Sequence, residues 1–242
     1  MKNKFTIFAT LTFALMAYGL YQALAVAPTE RTMGDVQRIF YIHVPSAWIG
    51  GLCLAVNFLA SLVYLLQRNQ PLGRKADALA VASAEVGVIC ATVVLVTGPI
   101  WAHKAWGVWW AWDLRLTTTL VLWLIYLAYL MLRRFSPAGN APLLAAVLAV
   151  FSFADVPFVW FAIRFREYRG NHPKPVFGSE PGQGLHPAML KAFLINLLSF
   201  TLFGILLVAV RYTLERARQE LQERRLRIAL DPEIRAAQEV TR

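Results

Sequence analysis

The residue types best suited to chemistry in this chain are imidazoles and tryptophans, and both are concentrated. Five of the eight tryptophans fall inside twelve residues, in the run Trp101-Ala102-His103-Lys104-Ala105-Trp106-Gly107-Val108-Trp109-Trp110-Ala111-Trp112. One or two would mark only a bilayer interface, where indole rings sit at headgroup level. Five can pave a face for a flat ligand, with Gly107 permitting close approach and Asp113 and Arg115 directly behind. His43 stands in Phe40-Tyr41-Ile42-His43-Val44-Pro45-Ser46; Pro45 and Ser46 suit the start of a helix, which puts His43 just above a helix N-terminus. An imidazole there can offer one neutral nitrogen to a metal while its other N–H is fixed by an acceptor. The plainer alternative for a lone interfacial histidine is a hydrogen-bonded structural role.

The segment 164–186 adds His172, in Asn171-His172-Pro173, and His186, in Leu185-His186-Pro187. At 23 residues without a clear period it is long for a connector, which favours a functional loop. Arg164, Arg166, Arg169 and Lys174 give it positive charge that an anionic ligand would justify. These features suit one molecule: a flat apolar macrocycle with two carboxylates, which needs an aromatic floor, an imidazole from each side for iron, and cations at its rim. Haem has that chemistry, and paired axial histidines are ordinary ligands for it. Asp113 is read as a helix cap that orients Arg115 or an indole N–H, because a bare carboxylate would repel propionates.

The frame that must position these groups is an all-α, polytopic membrane protein. The 242 residues are 58% hydrophobic and 16% charged, whereas soluble domains carry about 25% charge. Six apolar stretches, at 5–27, 46–66, 79–100, 116–132, 142–163 and 187–210, are long enough to cross about 30 Å of hydrocarbon. The first exceeds the apolar core of a signal peptide and is read as a retained helix. This gives a six-span domain, 1–210, followed by a cytoplasmic helical tail, 211–242. The tail spaces Glu220/Arg224 and Glu223/Arg227 at i,i+4, and Asp231-Pro232-Glu233 would open a second short helix.

An N-in/C-in orientation puts fifteen Lys and Arg on inner segments and nine on the outer side. Without the tail the count is seven against nine, but the inner loops 67–78 and 133–141 hold little besides positive charge and turn residues. The outer face then receives 28–45, 101–115 and 164–186, which contain all four histidines. The second, fourth and sixth spans begin there, and their positive dipole ends favour propionates.

Other classes fit less well. The net charge of +10 flanks apolar runs instead of forming a basic domain, so nucleic acid is not the partner. Cys53 and Cys90 lie in apolar runs outside any CxxC, CxxCH or zinc spacing, and read as small buried hydrophobes. The chain therefore carries no covalent c-type haem of its own. No GxxxxGK[ST] occurs, so any ATP hydrolysis belongs to a partner. Glu85 and Asp155 are acids within spans, where a functional role and a helix-packing role are equally open; Pro157 kinks the span around Asp155. A transporter coupled through those two acids is one alternative, and the absence of paired broken helices argues against it. A scaffold subunit whose tryptophans dock a soluble partner is another.

The stretch Trp106-Gly107-Val108-Trp109-Trp110-Ala111-Trp112-Asp113, preceded by Thr97-Gly98-Pro99 and followed by Arg115-Leu116-Thr117, resembles the tryptophan-rich WWD signature of membrane haem-handling proteins. The six-span layout and Tyr41-Ile42-His43-Val44-Pro45 resemble the haem exporter protein C branch, also called cytochrome c maturation protein C, over nearly the whole chain. The resemblance implies a protein of the bacterial inner (cytoplasmic) membrane with its site on the periplasmic side. Such a protein holds haem b non-covalently through two axial histidines and passes it to a membrane-tethered haem chaperone, with no turnover chemistry of its own. The implied partners are ATP-binding-cassette transporter subunits and a small single-span subunit. Carried over residue by residue, His43 is the first iron ligand and His172 the second. His186 stands where the family commonly shows Asp-Pro and is the second choice. Trp101, Trp106, Gly107, Trp109, Trp110, Trp112, Asp113 and Arg115 form the platform, and His103 is taken as interfacial.

Overall fold

A computed structural model describes residues 2–136, 140–162, 172, 176 and 184–230. The loop cations Arg164, Arg166, Arg169 and Lys174 and the short helix expected from Asp231 lie outside the described residues. Among the described residues seven α-helices follow in order: α1 (Lys2–Tyr21), α2 (Phe40–Gln67), α3 (Pro71–Trp106), α4 (Leu114–Phe135), α5 (Ala141–Ser152), α6 (Val156–Ala162) and α7 (Pro187–Leu230). A π-helical turn, Gln22–Val26, extends α1; a 3-10 turn, Asp35–Ile39, leads into α2; another, Phe153–Asp155, joins α5 to α6. Counting α5 and α6 as one, six helical segments are long and apolar enough to cross a membrane.

The central helix is α3. Its first half buries Ala76, Ala78, Ala80, Ala82, Ser83 and Ala84, and such small side chains let neighbouring backbones come close, the usual packing device between helices in lipid. Polar side chains add ties between spans. Asn57 Nδ2 on α2 donates to the Ala80 carbonyl at 2.8 Å, and Trp123 Nε1 on α4 donates to Thr92 Oγ1 on α3 at 2.9 Å. Asn196 Nδ2 holds α7 to α1 through the Gly19 carbonyl at 2.8 Å.

At the end of the bundle away from the tryptophans, ion pairs lock three helices. Arg133 of α4 grips both carboxylate oxygens of Asp77 on α3, and Gln219 of α7 donates to Asp77 Oδ2 at 3.1 Å. Arg211 of α7 grips Glu85 of α3 in the same two-pronged way, and Arg74 pairs with Glu223. Glu85 is thus an interhelical partner.

The last helix runs unbroken to Leu230, in keeping with a helical tail running out of the last span. The structure corrects other sequence expectations. Glu223 turns to Arg74 on α3 instead of Arg227, while Glu220 faces Arg216 at 3.9 Å. A packed neighbour offers Glu223 a partner that an isolated helix would lack. The second span does not start at Pro45: α2 begins at Phe40 and carries Pro45 inside. Proline there costs one bond, to the Tyr41 carbonyl, while helical 40–44 lets Phe40 and Tyr41 pack in the cluster that contains Trp101 and Phe193. The third span does not end at residue 100, because α3 continues through Pro99 to Trp106; packed neighbours support prolines inside membrane helices. Asp155 lies in the 3-10 turn beside Pro157, its Oδ2 buried without a hydrogen-bond partner among the described residues.

Candidate functional site

The tryptophan segment is placed by two local devices. Helix α3 stops at Gly107, whose φ of 74° is left-handed and whose N–H donates to the His103 carbonyl at 3.0 Å. Only glycine takes that conformation at little cost. Nothing lies within 4 Å of where a Cβ on Gly107 would sit, so it is the left-handed backbone, not crowding by protein atoms, that asks for glycine here. Residues 108–113 then cross to α4, where Asp113 Oδ1 accepts the Leu116 N–H at 2.7 Å and Oδ2 lies 3.5 Å from an Arg115 nitrogen. Asp113 is therefore a helix cap that also holds Arg115.

Between these elements is a small, partly open cavity. Its wall is made by His43 of α2, by Gly98, Pro99, Trp101, Ala102 and Trp106 of α3, by Trp109, by Arg115 and Leu116 of α4, and by His172. His43 is buried, with Nδ1 2.8 Å from Thr97 Oγ1 and its ring edge-on to Trp101 at a centroid distance of 5.8 Å. Trp101 is buried too, its Nε1 donating to Met33 Sδ at 3.4 Å. The turn that brings Met33 there is closed by Glu30, whose Oε2 accepts the Thr32 N–H at 2.7 Å and the Met33 N–H.

The proposed platform divides. Trp101, Trp106 and Trp109 reach the cavity; Gly107, Trp110, Trp112 and Asp113 do not line it. Trp112 is 76% exposed and meets Trp110 edge-on at 5.6 Å. His186 is exposed, and its Nδ1 accepts the Ala188 N–H at 3.3 Å at the start of α7, away from the cavity wall. Three nitrogens near the site, His103 Nδ1, Trp110 Nε1 and Arg115 Nε, are buried with no hydrogen-bond partner among the described residues. The helices α2, α4 and α7 all begin at this end, so their positive dipole ends face it.

Sequence reasoning overlooked Gly98, Pro99, Ala102 and Leu116 as wall residues. Gly98, Ala102 and Trp106 recur at i, i+4, i+8, a single helical face. Ending the third apolar stretch at residue 100 hid that signal.

Apolar spans that bring two histidines, three tryptophans and an arginine to one cavity at the end of a helix bundle define a polytopic membrane protein with a candidate ligand site. A family model described as "Heme exporter protein C" matches residues 1–228, and the chain belongs to that family. It is similar to the heme exporter protein C of Bradyrhizobium diazoefficiens, 34% identical over 220 residues that cover 90% of this chain and 79% of the relative. The protein of the same name from Haemophilus influenzae is 29% identical over 218 residues, 88% of this chain and 85% of its own. A protein of Arabidopsis thaliana named "Putative cytochrome c biosynthesis ccmC-like mitochondrial protein" is 30% identical over 201 residues, 83% of this chain and 72% of its own.

Proposed function

We propose that the protein binds haem at the outer face of the bacterial inner membrane and passes it to a membrane-tethered haem chaperone during maturation of c-type cytochromes. The convergence of His43 and His172 on one cavity, together with Trp101, Trp106, Trp109 and Arg115, carries this reading. The donor set fits the ligand. Two imidazoles are suited to iron, indole faces to the macrocycle, and a guanidinium to a propionate. Arg115 Nε, buried without a partner among the described residues, has a bond left to give to such a carboxylate. The names of the relatives, which speak of heme export and cytochrome c biosynthesis, support the same assignment.

The six spans are oriented N-in/C-in, with the cavity on the periplasmic side. Haem b would be held non-covalently by His43 and His172. The ATP-binding-cassette subunits and the small single-span subunit would supply work and assembly that this chain lacks, and the chain itself performs no turnover chemistry. Glu85, which a proton-coupled transporter would need free, is held by Arg211.

The test is an absorption spectrum of the purified protein, oxidised and reduced, with haem added and partners co-expressed. A low-spin bis-histidine spectrum that is changed in His43→Ala and His172→Ala, but not in His186→Ala, is the expected result. Undiminished haem content in both His43→Ala and His172→Ala would overturn the ligand assignment. Loss in His186→Ala alone would move the second ligand to that residue.

A further inference from the structure

Thr97 sits one helix away from His43, and its hydroxyl makes two short contacts. Its Oγ1 donates to the Val93 carbonyl one turn back on α3 at 2.6 Å, and the same oxygen lies 2.8 Å from His43 Nδ1. A threonine hydroxyl has one proton and two lone pairs. A carbonyl has no proton, so an O···O contact of 2.6 Å to Val93 requires the threonine proton to lie between the two oxygens. Toward His43 the hydroxyl can then only accept, and Nδ1 must carry the proton of the neutral ring. The other ring nitrogen, Nε2, is left with its lone pair free of a proton.

The ring is held in that pose from two more sides. Trp101 stands edge-on to it at 5.8 Å, and a Cβ on Gly98 would already come to 3.4 Å from His43 Cε1. Thr97, Gly98 and Trp101 therefore form a socket on α3 that receives the ring projecting from α2.

We infer that Thr97 is a positioning residue that selects the Nδ1-protonated tautomer of His43 and presents Nε2 to the iron of haem. This rests on the haem-binding reading above. A ligating imidazole whose second nitrogen donates to a fixed acceptor is a stronger donor, and loss of such a partner usually costs about 10–100-fold in metal affinity. Thr97→Val keeps the branched shape and removes the acceptor; Thr97→Ser keeps the acceptor.

The experiment uses the full chain in detergent, with histidine labelled at both ring nitrogens. Nitrogen NMR of the apo-protein should show His43, assigned by its loss in His43→Ala, with the proton on Nδ1 in wild type and Thr97→Ser, and a mixture of tautomers in Thr97→Val. Haem titration should show affinity about 10–100-fold weaker in Thr97→Val, recovered in Thr97→Ser, and the haem midpoint potential should rise in Thr97→Val as the imidazole becomes a poorer donor. A wild-type His43 protonated on Nε2 overturns the inference, and so does a Thr97→Val variant equal to wild type in tautomer, affinity and potential. Should Thr97→Val fail to fold, the wild-type and Thr97→Ser tautomers still decide. Failure of the underlying reading has a different signature: His43→Ala would then keep its haem spectrum, whatever Thr97 does.

Discussion

His103 and Trp109 lie face to face, with ring centroids 4.0 Å apart and planes 8° from parallel. His103 is in the last turn of α3 and Trp109 is two residues beyond the glycine that stops it. The stop turns the chain so that Trp109 folds back over the helix end and becomes part of the cavity wall. The interfacial histidine is therefore a support for one of the tryptophans that would meet the ligand.

His103→Ala should loosen Trp109 and weaken haem binding about 2- to 10-fold, the equivalent of the roughly 0.5–1.5 kcal/mol of a stacked aromatic pair. His103→Phe should restore it. Haem titration followed by absorbance reads both, and an unchanged affinity in His103→Ala would show the stack to be idle.

Gly107→Ala should destabilise the protein by about 1–2 kcal/mol, because alanine pays the left-handed penalty at φ 74° although space for its methyl is open. The measurement is thermal unfolding in detergent. A melting point equal to wild type would mean that residues 107–113 rearrange freely.

Asp113 does two jobs that substitution can separate. Asp113→Ala removes the bond to the Leu116 N–H and should cost about 1 kcal/mol of stability. Asp113→Asn keeps a good cap but drops the charge held 3.5 Å from Arg115. Melting should therefore recover in Asp113→Asn, while any change in haem affinity that persists there reports on Arg115.

The Asp77–Arg133 pair should be costly to break from one side. Both side chains are mostly buried, so Arg133→Met leaves an uncompensated carboxylate, an effect of about 3–5 kcal/mol. The double variant Asp77→Leu with Arg133→Met should melt higher than Arg133→Met alone. A double variant at least as unstable as the single would show that the pair contributes more than mutual neutralisation.

Orientation can be read by labelling. In a chain with Cys53 and Cys90 replaced by alanine, an impermeant maleimide should label Gly184→Cys in intact spheroplasts and Gln70→Cys only after lysis. The reverse pattern would invert the bundle and place the cavity on the cytoplasmic side.

Much of this molecule follows from local rules in the sequence. Apolar runs of span length must become helices, because a backbone in lipid has to satisfy its own hydrogen bonds; hence the six spans. The cap at Asp113 and the link to Arg115 were legible because a cap bonds only to the next few residues. Helix ends were less legible: Pro45 reads as a helix start and the third apolar stretch as ending at residue 100, yet Pro45 and Pro99 both lie inside helices that packing keeps intact.

What the tertiary structure alone decided are the pairings between helices. His43 meets Thr97 across 54 residues, and Glu85 meets Arg211 across 126. Among five clustered tryptophans, only Trp101, Trp106 and Trp109 turn toward the cavity. Composition and spacing place a side chain at a depth in the membrane and at one end of a span. The rotation of each helix about its axis comes from how small residues such as those on α3 let neighbours approach, and no local pattern in the chain encodes which face then meets which.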